Sequence, residues 1–419
     1  VTRSLCFDAV IFDLDGTLVA TDSFWIESAE RGARRAFLAL GMVRDLPSPE
    51  QWLSLVGLPL DVGFRMLFPD LGEKERLEVL RACVEEEEAM LRAGKAPAMP
   101  DALATVQALR DAGLAIGIAS NCQQNYLEHM LDSLELRPLV RRAYCRESPG
   151  ITSKADMLAR LLADFDTRSA VMVGDRSTDR DAAWENGLPH VHCAFGFAQG
   201  DESVEAEGRI GALRELPELL RRRARWLERA LERLGAFARP GLRLGVTGGP
   251  AAGKTHVARD LARLLRERGQ PAVALSLTEF APGQGLTPDT LDPLERAVEL
   301  PRLVRELLKP HEAGESIPLP RGDLLGQDHV PPGATLVLEA PFLLGNKLRC
   351  GLDRLIHLDV PENVAWQRLR GRDARGKGSG SLELARDTLF PLQHALERRA
   401  PPRASAELVL DGTNPLGHD

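Results

Sequence analysis

No stretch of the 419 residues reaches about 18 consecutive apolar side chains, the least that a membrane-spanning helix needs. The apolar start, Leu5 to Val19, carries Asp8, Asp13 and Asp15, which neither a signal peptide nor a span tolerates, so a cytoplasmic protein with no membrane partner is expected. Cysteine is sparse and dispersed. The six residues (Cys6, Cys83, Cys122, Cys145, Cys193 and Cys350) include no Cys-x-x-Cys pair and no Cys/His spacing that sets a zinc tetrahedron, and they read as reduced thiols. Positive charge is also in deficit: 53 Lys and Arg against 61 Asp and Glu leave a net charge of -8. That balance disfavours a protein that grips nucleic acid through a broad electropositive face. Internal repeats and low-complexity tracts are absent.

What is there is globular: 44% hydrophobic and 27% charged residues, in a length that suits two units better than one. Short β-like runs alternate with helical runs, the pattern of parallel α/β sheets, and the series occurs twice. The first has strands at about Ala9 to Leu14, Leu114 to Ser120, Ala170 to Gly174 and His190 to Cys193. The second has them at about Leu242 to Thr247, Ala272 to Leu277, Thr335 to Glu339, Leu355 to Leu358 and Glu407 to Leu410. Between them lies a helical stretch, Leu213 to Phe237, closed by Pro240-Gly241. The expected organisation is therefore an α/β protein of two domains, 1–212 and 239–419, joined by a helical linker at 213–238. The basic run Arg221 to Arg225, surrounded by glutamates, and the acidic run Glu85 to Glu88 both read as solvated helix faces.

Phe12-Asp13-Leu14-Asp15-Gly16-Thr17-Leu18 follows an apolar strand, so two carboxylates one residue apart emerge at the carboxyl end of a sheet, where α/β sites lie. Asp13 suits attack on phosphorus and a share in holding Mg²⁺, and Asp15 suits protonation of the leaving oxygen. Residues 7–200 resemble the haloacid dehalogenase superfamily through four motifs in order. Ser120-Asn121, after the second strand, matches the hydroxyl motif that binds the phosphoryl group. Lys154 matches the lysine that steadies the nucleophile. Gly174-Asp175-Arg176-Ser177-Thr178-Asp179 matches the acidic motif, which implies Mg²⁺ on Asp13, Asp15, Asp175 and Asp179. The resemblance implies a Rossmann-like core, and the two acids at 13 and 15 point within it to phosphatase or phosphomutase chemistry on a small phosphate ester. Helices between Leu18 and Pro100 (Ser23 to Leu40, Pro49 to Val56, Gly63 to Leu67 and Glu73 to Arg92) resemble its mobile helical cap, about 19–98, with Trp25, Trp52, Gly57 and Phe64 as candidates for the pocket. His190 and His192, without ligand-like spacing, read as structural.

The second series opens on a glycine-rich loop. Gly248-Gly249-Pro250-Ala251-Ala252-Gly253-Lys254-Thr255 fits G-x-x-x-x-G-K-[ST] between a strand and a helix, the context this phosphate cradle requires. Backbone N–H groups would turn to the phosphates of ATP, Lys254 would reach the outer ones and Thr255 would ligate Mg²⁺. Residues 242–411 resemble the uridine kinase and phosphoribulokinase group. Pro310 to Leu325 is similar to the group's G-x-x-[IV]-x-x-P stretch, Leu336 to Ala340 to its strand ending in an acidic residue, here Glu339, and Arg368 to Gly378 to its arginine-rich lid, with Arg368, Arg372 and Asp373 carrying the match. Thr278 stands where the group has its catalytic aspartate, which leaves Glu279 or Glu339 to serve as base.

Together these resemblances imply a bifunctional enzyme, a Mg²⁺-dependent phosphatase with an aspartyl-phosphate intermediate joined to an ATP-dependent kinase, acting on small metabolites such as nucleosides or sugars. Two other readings are a polynucleotide kinase 3′-phosphatase, disfavoured by the acidity and the large cap, and a phosphatase regulated by a nucleotide-binding pseudo-kinase.

Overall fold

Strands that are buried on both faces need near-continuous apolar runs, and each of the two series of such runs forms a parallel sheet. The computed structural model describes residues 5–94, 97–198, 205–280, 298–344, 351–373 and 380–418. It divides into two units, Phe7–Leu219 and Leu220–Asp419 together with Val1–Cys6.

In the first unit the sheet runs through β1 (Ala9–Phe12), β2 (Ala115–Ser120), β3 (Arg142–Cys145), β4 (Ala170–Gly174), β5 (His190–Cys193) and β6 (Gly208–Ile210), in the order β3-β2-β1-β4-β5-β6. The pairing is parallel throughout, with Phe12 facing both Ile118 and Val173. β3 and β6 are absent from the sequence reading for a physical reason. β3, Arg-Ala-Tyr-Cys, is a partly exposed strand at the sheet edge with no apolar run, and β6 spans three residues.

The segment after β1 is a helical cap: α1 (Asp22–Ala39), α2 (Pro49–Leu53), α3 (Leu60–Leu67) and α4 (Glu73–Arg92). The second of these stops at Leu53 rather than running to Val56, and the third starts at Leu60 rather than Gly63. The chain between them is free to form a turn. Small residues on one face of α1 (Ala29, Gly32, Ala33, Ala36) let it lie close to α4. A Cβ on Gly32 would sit 2.4 Å from the Cα of Cys83. Trp52, Phe64 and Phe68 fill the cap core with ring centroids 5.9 to 6.2 Å apart.

Along the chain after the cap come α5 (Ala102–Asp111), α6 (Gln124–Ser133), α7 (Lys154–Asp164), α8 (Ser177–Glu185) and α9 (Leu216–Arg233). The unit division falls within α9, so residues 213–238 are not the separate linker that the sequence suggested. Leu227, Ala230, Leu231 and Leu234 of α9 are buried in one core with Leu244, Val257 and Leu261. Arg223 departs from the solvated face expected of its run: it is 4% exposed. Its Nε donates to Asp260 at 2.7 Å and its Nη1 to the carbonyl of Pro415 at 2.6 Å.

The second sheet comprises β7 (Arg243–Gly248), β8 (Ala272–Ser276), β11 (Thr335–Glu339), β12 (Arg354–Asp359) and β13 (Leu408–Asp411), all parallel, in the order β13-β12-β7-β11-β8. A two-stranded antiparallel ribbon, β9 (Ile317–Pro318) with β10 (His329–Val330), lies outside it. α10 (Lys254–Glu267) follows β7. Alternation along the strands feeds two cores: Ala272, Ala274 and Val337 pack with α9 and α10, and Val273, Leu275, Leu336 and Leu338 pack on the other face. No helix among the described residues is long and apolar enough to cross a membrane.

Candidate active site

Because β1, β2 and β4 are adjacent and parallel, the residues that end them emerge at one edge of the sheet: Asp13 after β1, Ser120 at the end of β2 and Asp175 after β4. Lys154 reaches the same edge from the first turn of α7. That turn is fixed by a capping box in which Ser153 Oγ accepts from the Asp156 N–H at 3.1 Å and Asp156 Oδ2 accepts from the Ser153 N–H at 2.9 Å. Lys154 Nζ lies 2.9 Å from Asp13 Oδ2 and 2.7 Å from Asp179 Oδ1, with all three side chains buried.

Asp13, Asp175 and Asp179 bring carboxylate oxygens within 4.8 Å of one another. Three buried hard oxygen donors fit Mg²⁺. Gly16, at φ +72°, makes the sharp turn after the two acids, and a Cβ there would lie 2.3 Å from Asp175 Oδ2. Thr17 Oγ1 donates to Asp175 Oδ1 at 3.4 Å and the Phe197 N–H to its Oδ2 at 2.6 Å. Burial, opposed by Lys154 and reinforced by the neighbouring carboxylates, pushes the carboxyl of Asp13 up to about 7. Burial and the charges of Asp179 and Asp13 raise that of Asp175 well above the carboxylate range. Lys154 is held charged: burial works against its ammonium, but Asp13 and Asp179 outweigh it and raise its pKa.

Asp15 is set apart. Its side chain is not one of the three clustered carboxylates. Its Oδ1 instead accepts from Thr21 Oγ1 at 2.7 Å and from the Tyr126 hydroxyl at 2.5 Å. Burial raises its pKa, and those two hydrogen bonds pull it part of the way back.

Asp15 also lines a cavity of about 50 Å³ beneath the cap, with Thr21, Trp25, Gly57, Glu87 and Tyr126 on its wall. Of the four residues proposed for this pocket, Trp25 and Gly57 are there; Trp52 and Phe64 belong to the cap core, where large aromatic rings gain most from burial. Asn121 also lines the cavity, but its Nδ2 donates to the carbonyl of Gly57 at 2.9 Å, so it ties the core to the cap. Arg176 does the same, donating from Nη1 to the carbonyls of Val56 and Ser54. Ser120 Oγ accepts from the Cys122 N–H at 3.4 Å. His190 and His192 are buried on β5, outside the three-acid group.

Tyr126, Thr21 and Glu87 escaped the sequence reading. The run Glu85 to Glu88 is not wholly a solvated face: Glu87 is 9% exposed and turns to the cavity. A signal was available, since α4 buries Val79, Cys83, Glu87, Met90 and Leu91, and Glu87 stands four residues from Cys83 on that face.

In the second unit the glycine-rich loop links β7 to α10. Gly253 (φ +89°) and Ala251 (φ +54°) adopt left-handed conformations that turn the loop. Lys254 Nζ donates to the carbonyls of Gly248 and Gly249 at 3.2 and 2.8 Å. Thr255 Oγ1 donates to Glu339 Oε1 at 3.2 Å, across from the end of the neighbouring strand. Glu279 has no such tie to the loop among the described residues. Its carboxyl is raised by burial, offset by Arg321, and Thr278 shares a hydrogen bond with Ser276 at 2.8 Å. Arg368 does not stand open as a lid residue: it donates to the carbonyls of Ala251, Gly412 and Thr413. The side chains of Arg372 and Asp373, and the lid residues 374–379, lie outside the described residues.

Comparison with known proteins bears on the first unit. The family profile for haloacid dehalogenase-like hydrolases matches residues 10–192. A phosphoglycolate phosphatase of Caulobacter vibrioides is 27% identical over 206 residues, 48% of this chain and 83% of that protein. Among solved structures, a haloacid dehalogenase-like hydrolase from Streptococcus pneumoniae is 20% identical with a TM-score of 0.44, covering 50% of this chain and 97% of its own. A predicted phosphoglycolate phosphatase from Haemophilus somnus is 18% identical with a TM-score of 0.46, covering 51% and 98%. The profile match marks residues 10–192 as a haloacid dehalogenase-like hydrolase domain, and a second domain built on a parallel sheet follows.

Proposed function

We propose that the first domain is a Mg²⁺-dependent phosphatase of small phosphate monoesters, working through an aspartyl phosphate. The observation that carries this is the buried assembly of Asp13, Lys154, Asp175 and Asp179 beside a capped cavity with Asp15 on its wall. Asp13 attacks phosphorus, the bond to the leaving oxygen breaks, and Asp15 delivers its proton to that oxygen. Burial shifts its pKa upward, the direction that favours the acid form. In the second step Asp15 takes a proton from water as it attacks the phosphoaspartate, and phosphate leaves with Asp13 restored. Ser120 and Lys154 hold the transferring oxygens. Bound at Asp13, Asp175 and Asp179, Mg²⁺ would supply charge neutralisation for the phosphoryl group.

A cavity of about 50 Å³ under the cap suits a small leaving group and speaks against a polynucleotide end. The expected result is phosphate release from small phosphate esters, including an aryl phosphate, that stops on chelation with EDTA and returns with added Mg²⁺. Undiminished release in EDTA would defeat the reading.

For the second domain we propose ATP binding at the loop 248–255, with phosphoryl transfer to a small hydroxylated acceptor as the fuller form of that reading. Its support is local: a glycine-turned loop between β7 and α10, placed where the strand order reverses direction about β7, with Thr255 paired to Glu339. Thr278 offers no base, which leaves Glu339 as the nearest acid to the loop. In Lys254→Ala, ATP affinity measured by titration calorimetry should fall at least about tenfold, the scale of one lost charge-assisted phosphate contact. Unchanged affinity would count against a phosphate cradle. ATP binding without any phosphorylated product would instead favour a nucleotide-sensing domain.

A further inference from the structure

The wall of the cap cavity carries an acid that the phosphatase chemistry does not use. Glu87 is nine-tenths buried on α4, lines the cavity, and makes no hydrogen bond or ion pair among the described residues. A buried carboxyl left so is costly unless a ligand completes it. Its pKa is pushed up to about 8, by burial and then by Asp15 and Glu88.

Equally telling is the charge of its surroundings. The described lining includes Asp15 and Glu87 but no Lys, Arg or His. Arg176, whose aliphatic stem lies against Gly57, donates from its guanidinium to the carbonyls of Ser54 and Val56. A leaving group that ends in a carboxylate or a second phosphate would enter a cavity with two acids and no cation on its described wall. One that ends in an ammonium would meet a carboxyl ready to accept its N–H groups, beside the indole of Trp25, a surface that tolerates cations.

Resting on the phosphatase reading above, we propose that Glu87 selects the substrate: the cavity takes short phosphate monoesters whose leaving alcohol ends in an amino group and rejects those ending in an anion. On binding, the carboxyl of Glu87 gives up its proton to solvent and pairs with the ammonium. The narrow cavity limits the chain between amine and phosphate to a few atoms.

The test is a series of three two-carbon esters that differ only at the far end: 2-aminoethyl phosphate, 2-hydroxyethyl phosphate and 2-phosphoglycolate. The expected order of kcat/KM in the full-length protein is amine first, then hydroxyl, then carboxylate. Glu87→Gln should reduce the preference for amine over carboxylate by about tenfold or more, the scale of one hydrogen bond to a charged group. Glu78→Gln, on the exposed side of the same helix, should leave it in place. A carboxylate or hydroxyl ester used as well as the amine, or a ratio unmoved in Glu87→Gln, overturns the proposal. Calorimetric binding of the same three esters to the Asp13→Asn protein ranks them without turnover. A protein that binds the amine best yet releases no phosphate, even from an aryl ester, refutes the phosphatase reading and leaves the selectivity standing.

Discussion

Asparagine at position 13 should abolish phosphate release, with a loss of at least about 10⁴-fold, the range in which removal of a covalent nucleophile acts. The reason is chemical rather than structural. An amide has almost the shape of the carboxylate but neither its charge nor its nucleophilicity, so no phosphoaspartate forms. The fold should survive, because Asp13 is one of three acids crowded together in the dark of the protein, and its own pKa is already pushed up by burial. Removing one negative charge eases the repulsion with Asp175 and Asp179, while Lys154 keeps its bond to Asp179. Urea unfolding of Asp13→Asn should therefore give a midpoint no lower than that of the wild type. Intact-mass measurement after rapid quenching with substrate should show an added phosphoryl group in the wild type and none in the variant. Residual phosphate release above a tenth of the wild-type rate would mean that water attacks the ester directly, with Asp13 reduced to holding charge.

The second large effect concerns stability. Asp260→Ala should destabilise the second domain by about 3–5 kcal/mol, the cost of leaving a buried cation without its partner. Asp260 is fully buried and takes Arg223 Nη2 at 2.6 Å on one oxygen and Arg259 Nη2 at 3.2 Å on the other. With the carboxylate gone, Arg223, itself almost wholly buried, loses a close ion pair, while its bond to the Pro415 carbonyl remains. Replacing Arg223 and Asp260 with leucine, as Arg223→Leu with Asp260→Leu, should recover part of the loss, since the buried guanidinium of Arg223 goes with its carboxylate while Arg259 still loses its own ion pair. Urea unfolding read through a probe in the second domain would decide. A change below about 1 kcal/mol would be that of an exposed pair and would return α9 to the standing of a linker.

Much of this protein is legible before any coordinates, because two strong local codes coincide with sheet geometry. Apolar runs ending in Asp13, Ser120 and Gly174 place chemistry at strand ends whatever the rest of the chain does, and the loop at 248–255 needs only its glycines and the helix behind it. What was hidden depends on partners distant in sequence. Leu227 and Leu231 look alike in a linker and in a core, and only the arrival of β7 and α10 tells which. Glu87 sits among four glutamates, and composition cannot reveal that one of them faces inward. Tyr126 meets Asp15 across 111 positions of sequence, with no motif to announce the pair. Arg368 reads in the sequence as a lid residue, and its binding of backbone carbonyls of the loop and of residues 412 and 413 required the three-dimensional path of the chain.

The clasp between core and cap has a bearing on how such an enzyme can change its tastes. Asn121 and Arg176 hold the cap at residues 54, 56 and 57, and in every case the acceptor is a main-chain carbonyl. A carbonyl is the same whatever side chain its residue bears. The side chain at position 58, which lines the cavity and is not part of the buried cap core, can therefore be exchanged while the same bonds still hold the cap. Closure and choice of substrate are thereby written in separate parts of the polypeptide, one in its backbone and the other in its side chains, so drift in the second need not undo the first.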